Sequence, residues 1–275
     1  YLNKLDLIKF INIRPTGKYS RIIWFLYEFM TKDELDIEGC NRVKYVNILD
    51  PDKYFTGKII KSPRHAIKNN LLGDINFCPI VRKTKKIEVY IKQELNIKAS
   101  EFIEKFPAKI ISRAINYLYA KETKSSYEIE QEQPNRQRAT RFIDALKNAY
   151  RIEQITREEL IKLQNMIVDP RFIDEDYRNT QNYVGENINF YEQRIHFISP
   201  KNNDVNELME GLLKTLENMG EANINPVVTA AAISFGFVFI HPFEDGNGRI
   251  HRFLIHHILS KYNFTPLGII FPISA

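Results

Sequence analysis

The residues with the most chemistry in them stand together, in His241-Pro242-Phe243-Glu244-Asp245-Gly246-Asn247-Gly248-Arg249-Ile250-His251-Arg252. The segment holds a titratable base, a carboxylate, two glycines around an amide, and two arginines. Gly246 and Gly248 permit backbone conformations closed to other residues, so successive N–H groups can point into one concavity. If those N–H groups also open a helix, its unpaired donors and positive dipole end favour an anion. Arg249 and Arg252 add forked donors suited to phosphate oxygens. Asp245 beside such a cradle makes sense as a ligand of Mg²⁺, which a carboxylate and phosphates hold together. His241, just ahead of the loop, is the candidate general base.

Two helices must carry this loop. Pro226 to Ile240 is an apolar run with Asn225 as N-cap and Pro226 at its first position. After the loop, Ile250, Phe253, Leu254, His257 and Ile258 fall on one helical face, and Arg249, Arg252 and His256 on another. His256 is expected to be solvated and His257 buried. Plainer readings compete. An Asp-Gly-Asn-Gly run can be an ordinary turn between helices. A calcium loop fails, because that alignment puts Phe243 and Leu254 at ligand positions. A zinc site from His251, His256 and His257 lacks the required spacing and has no cysteine nearby.

With these residues in view, 241–252 resembles the Fic signature, His-x-Phe-x-Asp/Glu-Gly-Asn-Gly-Arg-x-x-Arg, at every fixed position. The resemblance implies a protein adenylyltransferase that moves AMP from ATP to a Ser, Thr or Tyr hydroxyl of a target protein. It implies that His241 deprotonates the hydroxyl, that Asp245 holds Mg²⁺, and that Gly246, Asn247 and Gly248 bind the phosphates. Arg249 would support the α/β region, Arg252 would reach the γ-phosphate, and Phe243 would anchor the loop in the core. Doc-type kinases carry Lys where this chain has Gly248, which favours nucleotidyl over phosphoryl transfer. Fic proteins also carry an inhibitory helix with Ser/Thr-x-x-x-Glu-Gly/Asn, and Ser126 to Glu130 resembles it, with Gln131 in place of Gly or Asn. A carboxylate brought to Arg252 would form a bidentate pair and occupy the γ-phosphate position, leaving ATP misplaced for in-line attack. Glu128 is a rival for that part. Two other functions stay open: removal of AMP or transfer of another phosphate-linked group at the same site, and a non-enzymatic module that senses nucleotide.

The rest of the chain reads as mainly α: a helical Fic-type bundle, a small β-hairpin flap and an N-terminal module. Residues 1–106 form that module, where Arg21 to Met30 is a helix-length apolar run around the single tryptophan and Ser62-Pro63-Arg64-His65 punctuates the chain. No phosphate-binding glycine motif occurs there. Residues 107–275 form the catalytic unit, with the inhibitory helix at about 107–133. Further helices are expected at Thr140–Tyr150 and after Thr156-Arg157-Glu158-Glu159, a capping box, and at Val205 to about Met219, opened by Asp204 and closed by Gly220. Tyr183-Val184 and Ile195-His196-Phe197-Ile198 have strand composition and suggest a hairpin. The resemblance implies a flap at about 179–198 that holds the target protein by strand addition.

A chain of 275 residues with 44% hydrophobic and 27% charged residues can bury a core and is not of disordered composition. The net charge of +5 comes from scattered Lys and Arg, which disfavours nucleic acid as a partner. Cys40 and Cys78 sit in no metal or redox spacing. No signal peptide and no membrane-length apolar run is present, so the cytoplasm is the expected location. The chain starts at Tyr1 and ends inside an apolar stretch, which suggests a piece of a longer protein. Self-modification and homo-oligomerisation are further expectations.

Overall fold

The computed structural model describes residues 3–40, 43–189, 191–266 and 268–274. The chain opens with α1 (Lys4–Ile13) and α2 (Lys18–Thr31), whose buried faces bring Leu7, Ile11 and Trp24 into one small cluster with Leu35 from the stretch after α2. Trp24 is fully buried, and its indole N–H donates to Glu28 Oε1 at 2.6 Å, as a buried indole requires. Beside it lie β1 (Val46–Asn47), β2 (Ile60–Ser62) and β3 (Ile67–Asn69). They form a sheet in the order β1-β3-β2, with β1 parallel and β2 antiparallel to β3. The turn between β2 and β3 is the Pro63-Arg64-His65 punctuation. This sheet is absent from the sequence expectations, because strands of two or three residues carry no readable alternation.

Then come α3 (Lys85–Lys92), α4 (Leu95–Ile103), α5 (Ala108–Ile129), α6 (Arg136–Asn148) and α7 (Arg157–Ile167). The hairpin β4 (Tyr183–Asn187) and β5 (Gln193–Ile198) follows, then α8 (Val205–Glu221), α9 (Pro226–Ile240) and α10 (Asn247–Lys261). The Thr156 hydroxyl accepts from Glu159 N at 3.3 Å, the expected cap of α7. Asn225 likewise caps α9, accepting from Val227 N at 3.0 Å. The main core gathers Phe142, Leu160, Ile167, Met209, Leu212, Phe237, Phe253 and Ile258, and reaches back to Phe55 and Leu72. α9 is apolar on nearly every side, which suits a helix packed against both α8 and α10.

Two local expectations are corrected. Gly220 does not close α8, which runs on to Glu221; a Cβ there would run into Tyr262 Oη, so the glycine serves packing. Asp204 precedes α8 without a side-chain capping bond. The hairpin is antiparallel, pairing Tyr183 with Ile198, and a bulge at Val184/Gly185 shifts the register. Among the described residues no helix is long and apolar enough to cross a membrane.

Candidate active site

The loop between α9 and α10 is shaped by its own residues. His241 ends α9 in the left-handed region (φ 56, ψ 60), a costly conformation for a non-glycine residue. Gly246 (φ 88) is the N-cap of α10, and a Cβ there would press on Val168 Cγ1 at 2.8 Å. Between them Phe243 is fully buried, with its ring against Tyr177 and Phe237. The Asn247 side chain is spent on the loop itself: its Oδ1 accepts from Phe243 N at 3.0 Å and its Nδ2 donates to Phe243 O at 2.7 Å. Toward an anion Asn247 can therefore offer its backbone N–H, alongside those of Gly248 and Arg249 in the first turn of α10.

His241 Nδ1 lies 3.2 Å from Val238 O. A carbonyl only accepts, so Nδ1 carries the proton and Nε2 keeps its lone pair. Burial lowers the His241 pKa and Arg178 lowers it further, against the opposing pull of Val238 O and Glu244. The ring is therefore neutral at pH 7, as a general base must be.

The guanidinium groups are already occupied. Arg252 Nε donates to Ser126 Oγ at 2.6 Å, and its Nη2 donates to Ser126 O at 2.9 Å and to Glu130 Oε1 at 2.6 Å. The other oxygen, Glu130 Oε2, lies 2.9 Å from Arg249 Nε but off its N–H direction, an ion pair without a good hydrogen bond. The sequence expectation of a bidentate pair with Arg252 alone is thus corrected, since Glu130 straddles both arginines. Its Oε1 also covers Gly248, so that a Cβ on that glycine would collide with it. Glu128, the rival carboxylate, pairs instead with Lys124 at 3.6 Å on the exposed face of α5.

Arg249 is fully buried, 5.1 Å over the Tyr127 ring. Burial opposes its charge, and Glu130, Asp245 and Glu132 outweigh that, so its pKa is raised. Asp245 Oδ1 accepts from Arg249 Nη2 at 2.7 Å and from Gly246 N at 2.6 Å. Among the described residues no group of three or more His, Cys, Asp or Glu could hold a metal. A single carboxylate still fits Mg²⁺, which takes most of its ligands from phosphates and water.

Several site residues escaped the sequence reading. Glu132 accepts from Arg249 Nη2 at 2.9 Å and from Arg138 Nη2 at 2.7 Å, joining α10 to α6. Arg178 is buried and donates to His241 O at 2.8 Å, Thr180 O at 2.7 Å and Pro200 O at 2.6 Å, which ties the base of the hairpin to the C-terminus of α9. Gln164 Nε2 donates to Asp174 Oδ2 at 3.0 Å and to Asp245 O at 3.3 Å, while Asp174 Oδ2 accepts from Glu244 N at 3.1 Å. Glu132 was the most accessible of these, lying just beyond Glu130 in the same acidic helix end. His256 is buried, not solvated: its Nε2 donates to Glu122 Oε1 at 3.1 Å. His257 is buried as expected.

Residues 154–259 match the model of the Fic/DOC family. The chain is 29% identical over 121 residues to a protein adenylyltransferase Fic of Nematostella vectensis, covering 43% of this chain and 26% of that protein. It is 30% identical over 117 residues to the protein of the same name from Drosophila grimshawi, covering 42% and 22%. The matched stretch thus spans about a quarter of the length of these relatives. A crystal structure of a Fic domain containing signaling protein from Bacteroides thetaiotaomicron superposes with a TM-score of 0.51 at 18% identity, over 62% of this chain and 72% of that one, a likeness of fold. The family match leaves out α5, and with it Ser126 and Glu130.

Proposed function

We propose, from the premise that this chain belongs to the Fic/DOC family, that it is a protein adenylyltransferase held inactive by its own Glu130. The observation that carries the reading is the Glu130 carboxylate seated on Gly248 at the start of α10, between Arg252 and Arg249. A place that holds a carboxylate so well is a place built for an anion, and ATP offers the anions that fit arginine forks and helix N–H groups. On this reading the phosphates bind along the first turn of α10, with Arg252 released from Glu130 to receive the terminal one. His241 Nε2 takes the proton of a Ser, Thr or Tyr hydroxyl. The hydroxyl oxygen bonds to the α-phosphorus, the bond to pyrophosphate breaks, and AMP stays on the target. Asp245 would hold Mg²⁺, which when bound offsets phosphate charge. The hairpin at about 179–198, fixed at its base by Arg178, would take an extended target segment along its edge, an arrangement that also allows self-modification.

The test is transfer from ATP labelled on its α-phosphate, with Mg²⁺, in the wild type, Glu130→Gly, and Glu130→Gly/His241→Ala. Label on protein in Glu130→Gly alone supports base, inhibitor and reaction together. Transfer of a γ-phosphate label in place of AMP makes the protein a kinase, and release of AMP from a modified target makes it a removing enzyme. Undiminished transfer in the double variant removes His241 as the base.

A further inference from the structure

Glu122 is a carboxylate with no exposure at all, and it is fully satisfied. Its Oε1 accepts from His256 Nε2 at 3.1 Å and from Ser274 Oγ at 2.7 Å. Its Oε2 accepts from the backbone N–H groups of Ile273 and Ser274, each at 3.0 Å. Burial works to raise its pKa, and the bonds from His256 and Ser274 outweigh that, so the pKa is lowered. One side chain thus joins α5, α10 and the segment after α10.

Its position along α5 matters more than its burial. Glu122, Ser126 and Glu130 are spaced by four, so they share one face of the helix over two turns. Their partners run back along α10 at the same spacing: His256 meets Glu122, Arg252 meets Ser126, and Gly248 lies under Glu130. Helices joined at every fourth residue have one register, and a slip of one turn would carry Glu130 about 5.4 Å off the glycine loop. The buried residues of α5 are Tyr119, Glu122, Thr123, Ser126 and Tyr127, so polar contacts make up much of its hold. Tyr119 Oη adds a bond to Gly268 O at 3.2 Å, on the same segment that Glu122 captures.

We infer that Glu122 is the positioning residue of the inhibitory turn: with His256 and residues 273–274 it latches α5 in the register that seats Glu130 on the glycine loop, and opening the latch frees the site. This rests on Glu130 acting as inhibitor. Glu122 stands two turns from the loop and touches neither Arg249 nor Asp245, so its effect on transfer passes through α5.

Glu122→Gln keeps the shape and weakens the latch: its oxygen can still accept from the two backbone N–H groups, but the charge is gone, and its NH₂ finds acceptors in His256 Nε2 and Ser274 Oγ only if the ring changes tautomer and the hydroxyl turns. Transfer from α-labelled ATP should rise about tenfold over wild type, the effect of losing charge-assisted bonds. In a Glu130→Gly background the same change should alter transfer by less than about twofold, since the two act on one step. Ser274→Ala, which removes one donor, is the milder variant should Glu122→Gln fold poorly, and should raise transfer by roughly threefold. Hydrogen exchange gives a readout independent of transfer: amides of 119–130 should lose protection while those of α9 and α10 keep theirs. A gain of equal size in both backgrounds, or unchanged exchange in α5, overturns the latch. If Glu130→Gly itself transfers nothing, the transferase reading fails, and exchange alone decides the latch: protection lost in α5 supports it, protection kept overturns it.

Discussion

Replacing Gln131 by Asn should tighten the hold of Glu130 on the glycine loop. α5 ends with Gln131 in the left-handed region (φ 57), with Gln131 N donating to Glu128 O at 3.0 Å and Glu132 N to Tyr127 O at 3.0 Å. That is a Schellman closure, whose left-handed position suits Gly or Asn. The closure also aims Glu130 and Glu132, on either side of Gln131, at Arg249. A residue with a long side chain gives up roughly 1–2 kcal/mol in this conformation, and Asn recovers part of that by local hydrogen bonding. When α5 lifts away Gln131 can leave the left-handed region, so the strain weighs on the docked state alone. A gain of about 1 kcal/mol then favours the docked state by about fivefold. Basal transfer from α-labelled ATP should fall by that factor, and the melting temperature should rise by about 2 °C. In a Glu130→Gly background Gln131→Asn should leave the rate unchanged. Gln131→Ala keeps the left-handed cost and should behave as wild type. Basal transfer that rises, or holds steady while the melting temperature climbs, would refute the link between this turn and inhibition.

Arg178→Lys keeps the charge but not the fork that reaches His241 O, Thr180 O and Pro200 O, so the fold should lose about 2–4 kcal/mol from stranded buried carbonyls. In a Glu130→Gly background protein transfer should drop by more than about tenfold, with nucleotide affinity within about twofold, as measured by transfer and equilibrium binding. Gly248→Ala puts a Cβ where Glu130 Oε1 lies; exchange in α5 should speed up without any gain in transfer, because the same Cβ intrudes on the anion site. His257, buried against Phe253, has its pKa lowered to about 4, chiefly by burial. It is neutral in both states above about pH 7, and between its ordinary 6.5 and about 4 the unfolded chain binds the extra proton. Stability should therefore fall by up to about 3 kcal/mol as pH drops through that window, read as a falling urea midpoint. Transfer should fall with His241 protonation in the same direction, at a pH below 6.5, and be flat above about pH 7.

What was legible in the sequence was local. Asn225-Pro226 announces the start of α9, and the glycines of 241–252 announce a turn into a helix, because each signal and its structural effect lie within one turn of chain. What escaped depended on distant partners. Gly220 reads as a helix stop, yet it is a glycine because Tyr262 packs on it. Arg178 reads as one more surface arginine until the hairpin base and the end of α9 close around it.

His256 shows the limit most clearly. Arg249, Arg252 and His256 make a polar face on α10, and a polar face normally reads as solvated. Here α5 lays its own polar face, Glu122, Ser126 and Glu130, against it, so both faces are buried without looking apolar. Such an interface is held by hydrogen bonds whose net worth is small so long as water can replace them. An apolar seam of the same length would give up its full burial energy on opening, with nothing in water to replace it. A helix that must cover an anion site and then let go is better attached by the first kind of contact than by the second.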